Sequence, residues 1–172
     1  MSPYAVTKYV NELYADVFSK TYNFHSIGLR YFNVFGPKQS PNGAYAAVIP
    51  LFIAAMLRNE QPVINGVGDV SRDFTFVSNV VQANIRSLYK PELSEHTVLN
   101  IACGGQTSLL DLVNEINKNL ETDIQPVFKE TRKGDIKHSL ADISKAKDII
   151  NYQPEVSFIK GLEQTIAYFK QG

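Results

Sequence analysis

Tyr4 and Lys8 stand four residues apart near the start of the chain, and on a helix positions i and i+4 lie one above the other. A phenol free in water has a pKa of about 10 and is a poor base at neutral pH. An ammonium held beside it favours the phenolate. Such a pair can take the proton of a hydroxyl group. The same spacing more often marks an exposed Tyr and Lys on an amphipathic helix, so it assigns no chemistry by itself. Arg72 carries a planar fork suited to two oxygens of a phosphate, or to an ion pair with Asp69 or Asp73. Asn33 offers a donor and an acceptor at the end of an apolar strand, where α/β folds bind ligands; an isolated Asn there is also a common turn residue. His25, His96, His138 and Cys103 have no metal-ligand spacing. His25 and His96 read as surface or loop residues, His138 as either a neighbour of the site or a structural hydrogen-bonding group, and Cys103 as a buried strand-end residue.

The elements that must position these residues alternate. Ser2 can cap a helix with Pro3 at its first position, running to about Tyr22. At about 100° per residue, Val6, Tyr9, Val10, Leu13 and Val17 form a core stripe, and Tyr4, Lys8 and Asn11 share the other face. Residues 26–35 read as one strand ended by Gly36-Pro37, followed by a loop through Ser40-Pro41-Asn42-Gly43 and a helix over about 47–58. Short strands are predicted near Val63 and Phe74, and a helix capped by Ser78 that ends near Tyr89. Residues 98–102 read as a buried strand that turns at Gly104-Gly105 into a helix carrying Leu109, Leu112, Val113, Ile116 and Leu120. A strand near Val127, a helix over 143–150 and a last helix with Phe158, Leu162, Ile166 and Phe169 on one face complete the chain. Alternating strands and helices give an α/β class.

Composition narrows the functions. At 172 residues with 44% apolar content the chain supplies a core for one unit, divided at most into two lobes, which excludes disorder. Seventeen Lys+Arg against seventeen Asp+Glu leave no net charge for nucleic acid or an anionic membrane. The most apolar stretch, 44–57, is shorter than the ~20 residues of a spanning helix and contains Pro50. A lone cysteine and no charged-then-apolar leader read as cytoplasmic.

Four segments in order change the weight of the Tyr4/Lys8 pair: Ser2-Pro3-Tyr4-Ala5-Val6-Thr7-Lys8, Arg30-Tyr31-Phe32-Asn33-Val34-Phe35-Gly36-Pro37, the Arg72-Asp73-Phe74 run within 68–77, and Arg132-Lys133-Gly134-Asp135. Together they resemble the extended short-chain dehydrogenase/reductase family, across essentially the whole chain. Residues 41–50 and His138-Ser139-x-Ala141-Asp142-Ile143-Ser144-Lys145-Ala146 are most similar to its bacterial UDP-N-acetylglucosamine/UDP-N-acetylgalactosamine 4-epimerases.

The resemblance implies the end of a Rossmann sheet plus a small mixed α/β lobe that binds UDP-sugar. Residues 1–36 would be the catalytic helix and strand of the Rossmann half, and 37–172 mostly the sugar-nucleotide lobe, with a returning strand and helix near 98–120. It also implies NAD as cofactor, contacted by Tyr4, Lys8 and Tyr31, and a homodimer formed through the first helix. The reaction would be oxidation at C4 to a 4-keto sugar and hydride return, with Tyr4 as base and Lys8 lowering its pKa. By the same resemblance Asn33, Gln39, Ala47, Val48, Asn65, Arg72, Arg132, Asp135 and Ser139 bind the substrate. Arg72 and Arg132 would meet phosphate and Asp135 the uridine ribose. Ala47 and Ser139 would admit an N-acetyl group.

The chain departs from the family's pattern in two places. Its ten glycines never make the Gly-x-x-Gly-x-x-Gly turn that cradles a dinucleotide; Gly66-x-Gly68 comes nearest, with Ser71 where a third glycine belongs. The expectation is therefore a C-terminal portion without the NAD-binding half, with Met1 an added start, inactive alone and not binding NAD. Asn79 replaces a commonly acidic residue and receives no role. A UDP-sugar 4-epimerase portion, a non-catalytic UDP-sugar-binding module and an assembly piece are all compatible with these residues, with a nucleotide-sugar dehydratase as a sibling chemistry. The joint presence of Tyr4, Lys8, Asn33, Arg72, Arg132 and Asp135 favours the first.

Overall fold

The computed structural model describes residues 3–43, 46–90, 93–131 and 137–171, and strands and helices alternate along them. In chain order these are α1 (Pro3–Tyr22), β1 (Ile27–Tyr31), β2 (Val34–Phe35), α2 (Val48–Leu57), β3 (Val63–Asn65), β4 (Ser71–Arg72), β5 (Thr75–Phe76) and α3 (Val77–Leu88). They continue with β6 (Thr97–Ile101), β7 (Thr107–Ser108), α4 (Leu109–Leu120), β8 (Val127–Lys129), α5 (Ser144–Ile150) and α6 (Phe158–Phe169). Strands pair in twos, β1 with β6, β2 with β5 and β3 with β8 in parallel, and β4 with β7 antiparallel. Parallel partners far apart in sequence need crossovers, and the helices supply them.

Two cores result. One gathers Phe35, α2, Ile64, Phe74, Phe76, α4 and α6. Its aromatic centre sets Phe35 against Phe74, Phe76 and Phe158 with ring centroids 5.6–6.3 Å apart. The packing of α6 on β5 is so close that a Cβ on Gly161 would stand 2.7 Å from the Phe76 ring. The other core holds Val80 and Ala83 of α3, Leu99 and Ile101 of β6, α5 and Tyr152, with Ile27 and Leu29 of β1 against it. Strand β6 returns to β1, whereas α4 packs on α2 and α6.

Four expectations are corrected. The strand expected over 26–35 breaks at Asn33, whose φ of 36° is a left-handed conformation that Asn tolerates better than most residues. The N-cap of α3 is Phe76 rather than Ser78, and no side chain caps it. A short strand, β7, precedes α4, and Ser108 with Asp111 forms a capping box there. The expected core stripe of α1 is exposed: Val6, Tyr9, Val10, Leu13 and Val17 are 38–55% accessible, and only Ser19 of the helix is buried. Periodicity groups residues on a face but does not say which face meets the body. Here polar anchors decide, as Glu12 receives the Arg30 guanidinium at 2.6 and 2.5 Å and Ser19 Oγ accepts the His96 N–H at 3.0 Å. His96 lies in the loop before β6, as expected, and its Nδ1 also lies 2.9 Å from Ser26 Oγ. The Ser2 cap falls outside the described residues.

Asn79 is 1% exposed and uses both ends of its amide. Its Nδ2 donates to the Val156 carbonyl at 2.8 Å, and its Oδ1 accepts from Glu155 and Val156 N–H at 3.0 Å each. A carboxylate there accepts but cannot donate, leaving the Val156 oxygen facing an anion. That loss costs about 1–3 kcal/mol and outweighs the ~0.3–1 kcal/mol an acid gains near a helix N-terminus. Asn79→Asp is expected to lower the urea midpoint with an unchanged slope, and an unaltered midpoint would refute the account.

Candidate active site

Tyr4 and Lys8 occupy the first turns of α1, on the face that looks toward β1. Between the helix and the strand lies a groove of about 770 Å³ lined by Tyr4, Lys8, Asn11, Glu12, Arg30 and Tyr31 among others. The Lys8 ammonium sits over the Tyr4 ring, 5.2 Å from its centroid, a cation–π arrangement that keeps the charge close to the phenol. Tyr4 is 71% exposed. Tyr31, at the end of β1, donates its hydroxyl to Asn84 Oδ1 at 3.1 Å. The Arg30 guanidinium holds the Glu12 carboxyl below its ordinary pKa, and Glu12 raises Arg30 in return.

A second concavity, of about 300 Å³, opens where α2, β3, β4 and α4 converge. It collects Val48 from the first turn of α2, Asn65 from the end of β3 and Arg72 from β4. Ala46, Leu51, Phe52, Val63, Val70 and Leu109 complete its lining, giving an apolar slot with a few polar groups at its edge. The Arg72 fork is held at one nitrogen, as Nη1 donates to the carbonyls of Ser71 at 2.9 Å and Lys137 at 3.3 Å. Such a slot suits a flat ring with an anionic extension toward the guanidinium.

Asn33, Gln39, Ala47 and Ser139, also singled out in the sequence, line neither concavity. Asn33 donates its Nδ2 to the Asp73 carbonyl at 3.1 Å. Gln39 donates to the Val34 carbonyl at 3.1 Å, and its Oε1 is buried without a partner. Ala47 is the N-cap of α2, beside Val48. Ser139 N–H donates to the Ser71 carbonyl at 3.1 Å, one residue from Arg72. Its neighbour His138 places Nδ1 2.9 Å from Ser71 Oγ, the structural bond of its second expected reading. Arg132 and Asp135 lie outside the described residues. Gly66 and Gly68, both at positive φ, sit between β3 and β4, so they open no helix and form no dinucleotide turn. Cys103, just past β6, is partly buried rather than fully buried, and burial raises its thiol pKa.

One acid was missed. Asp73 is fully buried, and its carboxylate accepts backbone N–H groups from two distant segments. Burial raises its carboxyl pKa against the lowering effect of those bonds. Its position between Arg72 and Phe74 was the only signal, and an acid flanked by a buried aromatic is ambiguous between a surface turn and an interior cap.

Comparison with known proteins bears directly on this arrangement. Residues 1–102 match the model of the NAD dependent epimerase/dehydratase family. A protein of Methanocaldococcus jannaschii described as a putative UDP-glucose 4-epimerase is 33% identical over 99% of this chain and 54% of its own length. The UDP-N-acetylglucosamine 4-epimerase of Methanobrevibacter ruminantium M1, solved with UDP-N-acetylmuramic acid, superposes with a TM-score of 0.92 at 44% identity, covering 99% of this chain and 54% of that one. The UDP-glucose 4-epimerase of Thermotoga maritima, solved with UDP-glucose, gives 0.93 at 37% identity over the same shares. The chain thus spans about half the length of these relatives and shares their Rossmann-like α/β fold. Its YxxxK helix, its Arg72 cleft and these matches agree: the chain belongs to the NAD dependent epimerase/dehydratase family.

Proposed function

We propose that this chain is the nucleotide-sugar side of an NAD-dependent UDP-sugar 4-epimerase acting on UDP-N-acetylglucosamine and UDP-N-acetylgalactosamine, with UDP-glucose and UDP-galactose as smaller substrates. The convergence of Val48, Asn65 and Arg72 on one cleft carries the reading. In it, the uracil enters the apolar slot and Arg72 takes the diphosphate, assisted by Arg132, while Asp135 receives ribose hydroxyls. Binding energy placed on the nucleotide leaves the sugar free to turn, which an epimerase needs. Asn33, Gln39, Ala47 and Ser139 then surround the sugar. Residues 1–36 belong to the catalytic half and 37–172 mostly to the sugar-nucleotide lobe.

The α1–β1 groove fits one edge of a dinucleotide, since the Lys8 ammonium stands beside the Tyr4 phenol with Tyr31 at the end of the adjacent strand. Lys8 would hold the nicotinamide ribose. When bound, NAD supplies the oxidising and reducing capacity at C4. Tyr4 takes the proton of the C4 hydroxyl and returns it, and the charge of Lys8 steadies the phenolate between the two transfers. The exposed apolar stripe of α1 is assigned to a contact with a second subunit.

Calorimetric titration with UDP-N-acetylglucosamine tests this reading. Saturable binding, competed by UDP, is expected, and its absence would overturn the assignment. In the same titration Ala47→Tyr should weaken UDP-N-acetylglucosamine about tenfold more than UDP-glucose. A tyrosine fills the space required by the acetamido group, and overpacking of this kind costs about 1–3 kcal/mol. Equal losses for the two ligands would place Ala47 away from the sugar.

A further inference from the structure

Asp73 is 0% exposed, and nothing in the chemistry above uses its carboxylate. Its Oδ1 accepts the Cys103 N–H at 3.0 Å, and its Oδ2 accepts Gly104 N–H at 3.1 Å and Ala141 N–H at 3.4 Å. Its backbone carbonyl accepts from Asn33. Three converging N–H donors call for a group that only accepts. An amide would turn its NH2 toward at least one of them, and a buried anion is tolerated when such charge-assisted bonds surround it.

Of the segments so joined, those at 33, 72–73 and 139–141 carry proposed substrate contacts. Arg72 precedes Asp73 in the chain. Ser139, two residues before Ala141, is tied to the same place through the Ser71 carbonyl. We infer that Asp73 is a positioning residue of the UDP-sugar site: by drawing the turn at 103–104 and the segment at 139–141 onto β4, it sets the distance between the Arg72 guanidinium and the Ser139 hydroxyl. The inference rests on the UDP-sugar reading. Asp73 touches no substrate, and it acts through Arg72 and Ser139.

The test is a double-mutant cycle on UDP-N-acetylglucosamine affinity. Asp73→Asn is expected to raise Kd about tenfold or more, as misplacement of a binding group does. Combined with Arg72→Met it should add little, because both remove the same grip. Asn117→Asp, which removes the donor to the Ile124 carbonyl at the far end of α4 and so weakens the fold away from the cleft and from Asp73, should leave Kd unchanged. Additive losses, or an equal loss in Asn117→Asp, would reduce Asp73 to a purely structural role and overturn the inference. Should Asp73→Asn fail to fold, NMR on the unsubstituted chain decides. The amide signals of Cys103, Gly104 and Ala141 should shift with ligand at the calorimetric Kd, and unmoved signals refute the link. An unsubstituted chain that binds no UDP-N-acetylglucosamine brings down the UDP-sugar reading and this inference with it. If instead it binds and Asp73→Asn binds equally well, only the inference falls.

Discussion

Tyr4→Phe, in an active epimerase containing this chain, is expected to slow interconversion about 10²–10⁴-fold, the range supplied by a positioned acid–base group, with UDP affinity nearly unchanged. The geometry separates the two effects. Tyr4 lines the groove against β1, whereas Val48, Asn65 and Arg72 line the other concavity, and no residue is shared between the two. Removing one oxygen from an exposed ring also leaves the helix intact. The loss should fall on kcat, because proton transfer is an interaction made in the transition state. Lys8→Met should be severe for a related reason, since the proposed mechanism relies on the ammonium that stands over the Tyr4 ring. Chromatographic separation of the two UDP-sugars after timed incubation reads the rate, and more than a few per cent of residual activity in Tyr4→Phe would assign the base elsewhere.

Arg72→Met carries the second large effect, on binding rather than turnover. A charge-assisted bond contributes about 1.5–3 kcal/mol, so UDP-sugar affinity should fall roughly 10- to 150-fold. Methionine preserves an apolar stem in the slot that Val70 and Leu109 also line. Arg72→Lys retains charge without the planar fork and should recover only part of the affinity. In the proposed function the diphosphate is held alike before and during reaction, so KM is expected to move far more than kcat. A variant that loses kcat while keeping KM would place Arg72 at the sugar instead.

How much of this was legible in the sequence depended on whether the signal was local. The helices α2, α4 and α6 carry apolar residues at helical spacing beside turn residues, and their positions were read to within a few residues. Tyr4, Lys8 and Arg72 were legible because their chemistry is uncommon and their segments follow one another in a recognisable order. The break at Asn33 was not, because a left-handed residue inside an apolar run leaves no periodic trace. Nor was the orientation of α1, since its stripe of Val6, Val10, Leu13 and Val17 is as apolar as a core face. Asp73 was hidden for another reason. Its partners are the backbones of Cys103, Gly104 and Ala141, and backbone donors carry no residue type for a sequence to display.

Strand β1 finds a ladder partner in β6 alone among the described residues, and the Tyr4/Lys8 face of α1 looks toward it. In colloidal terms such an edge is a template, because unpaired N–H and C=O groups in register recruit any extended chain that meets them. The residues beside it offer some protection: Arg30 is bound to Glu12, and the alternation along the strand is interrupted by Gly28. At high concentration this edge is expected to favour association of the chain, and a soluble peptide laid along it would act as a stabiliser.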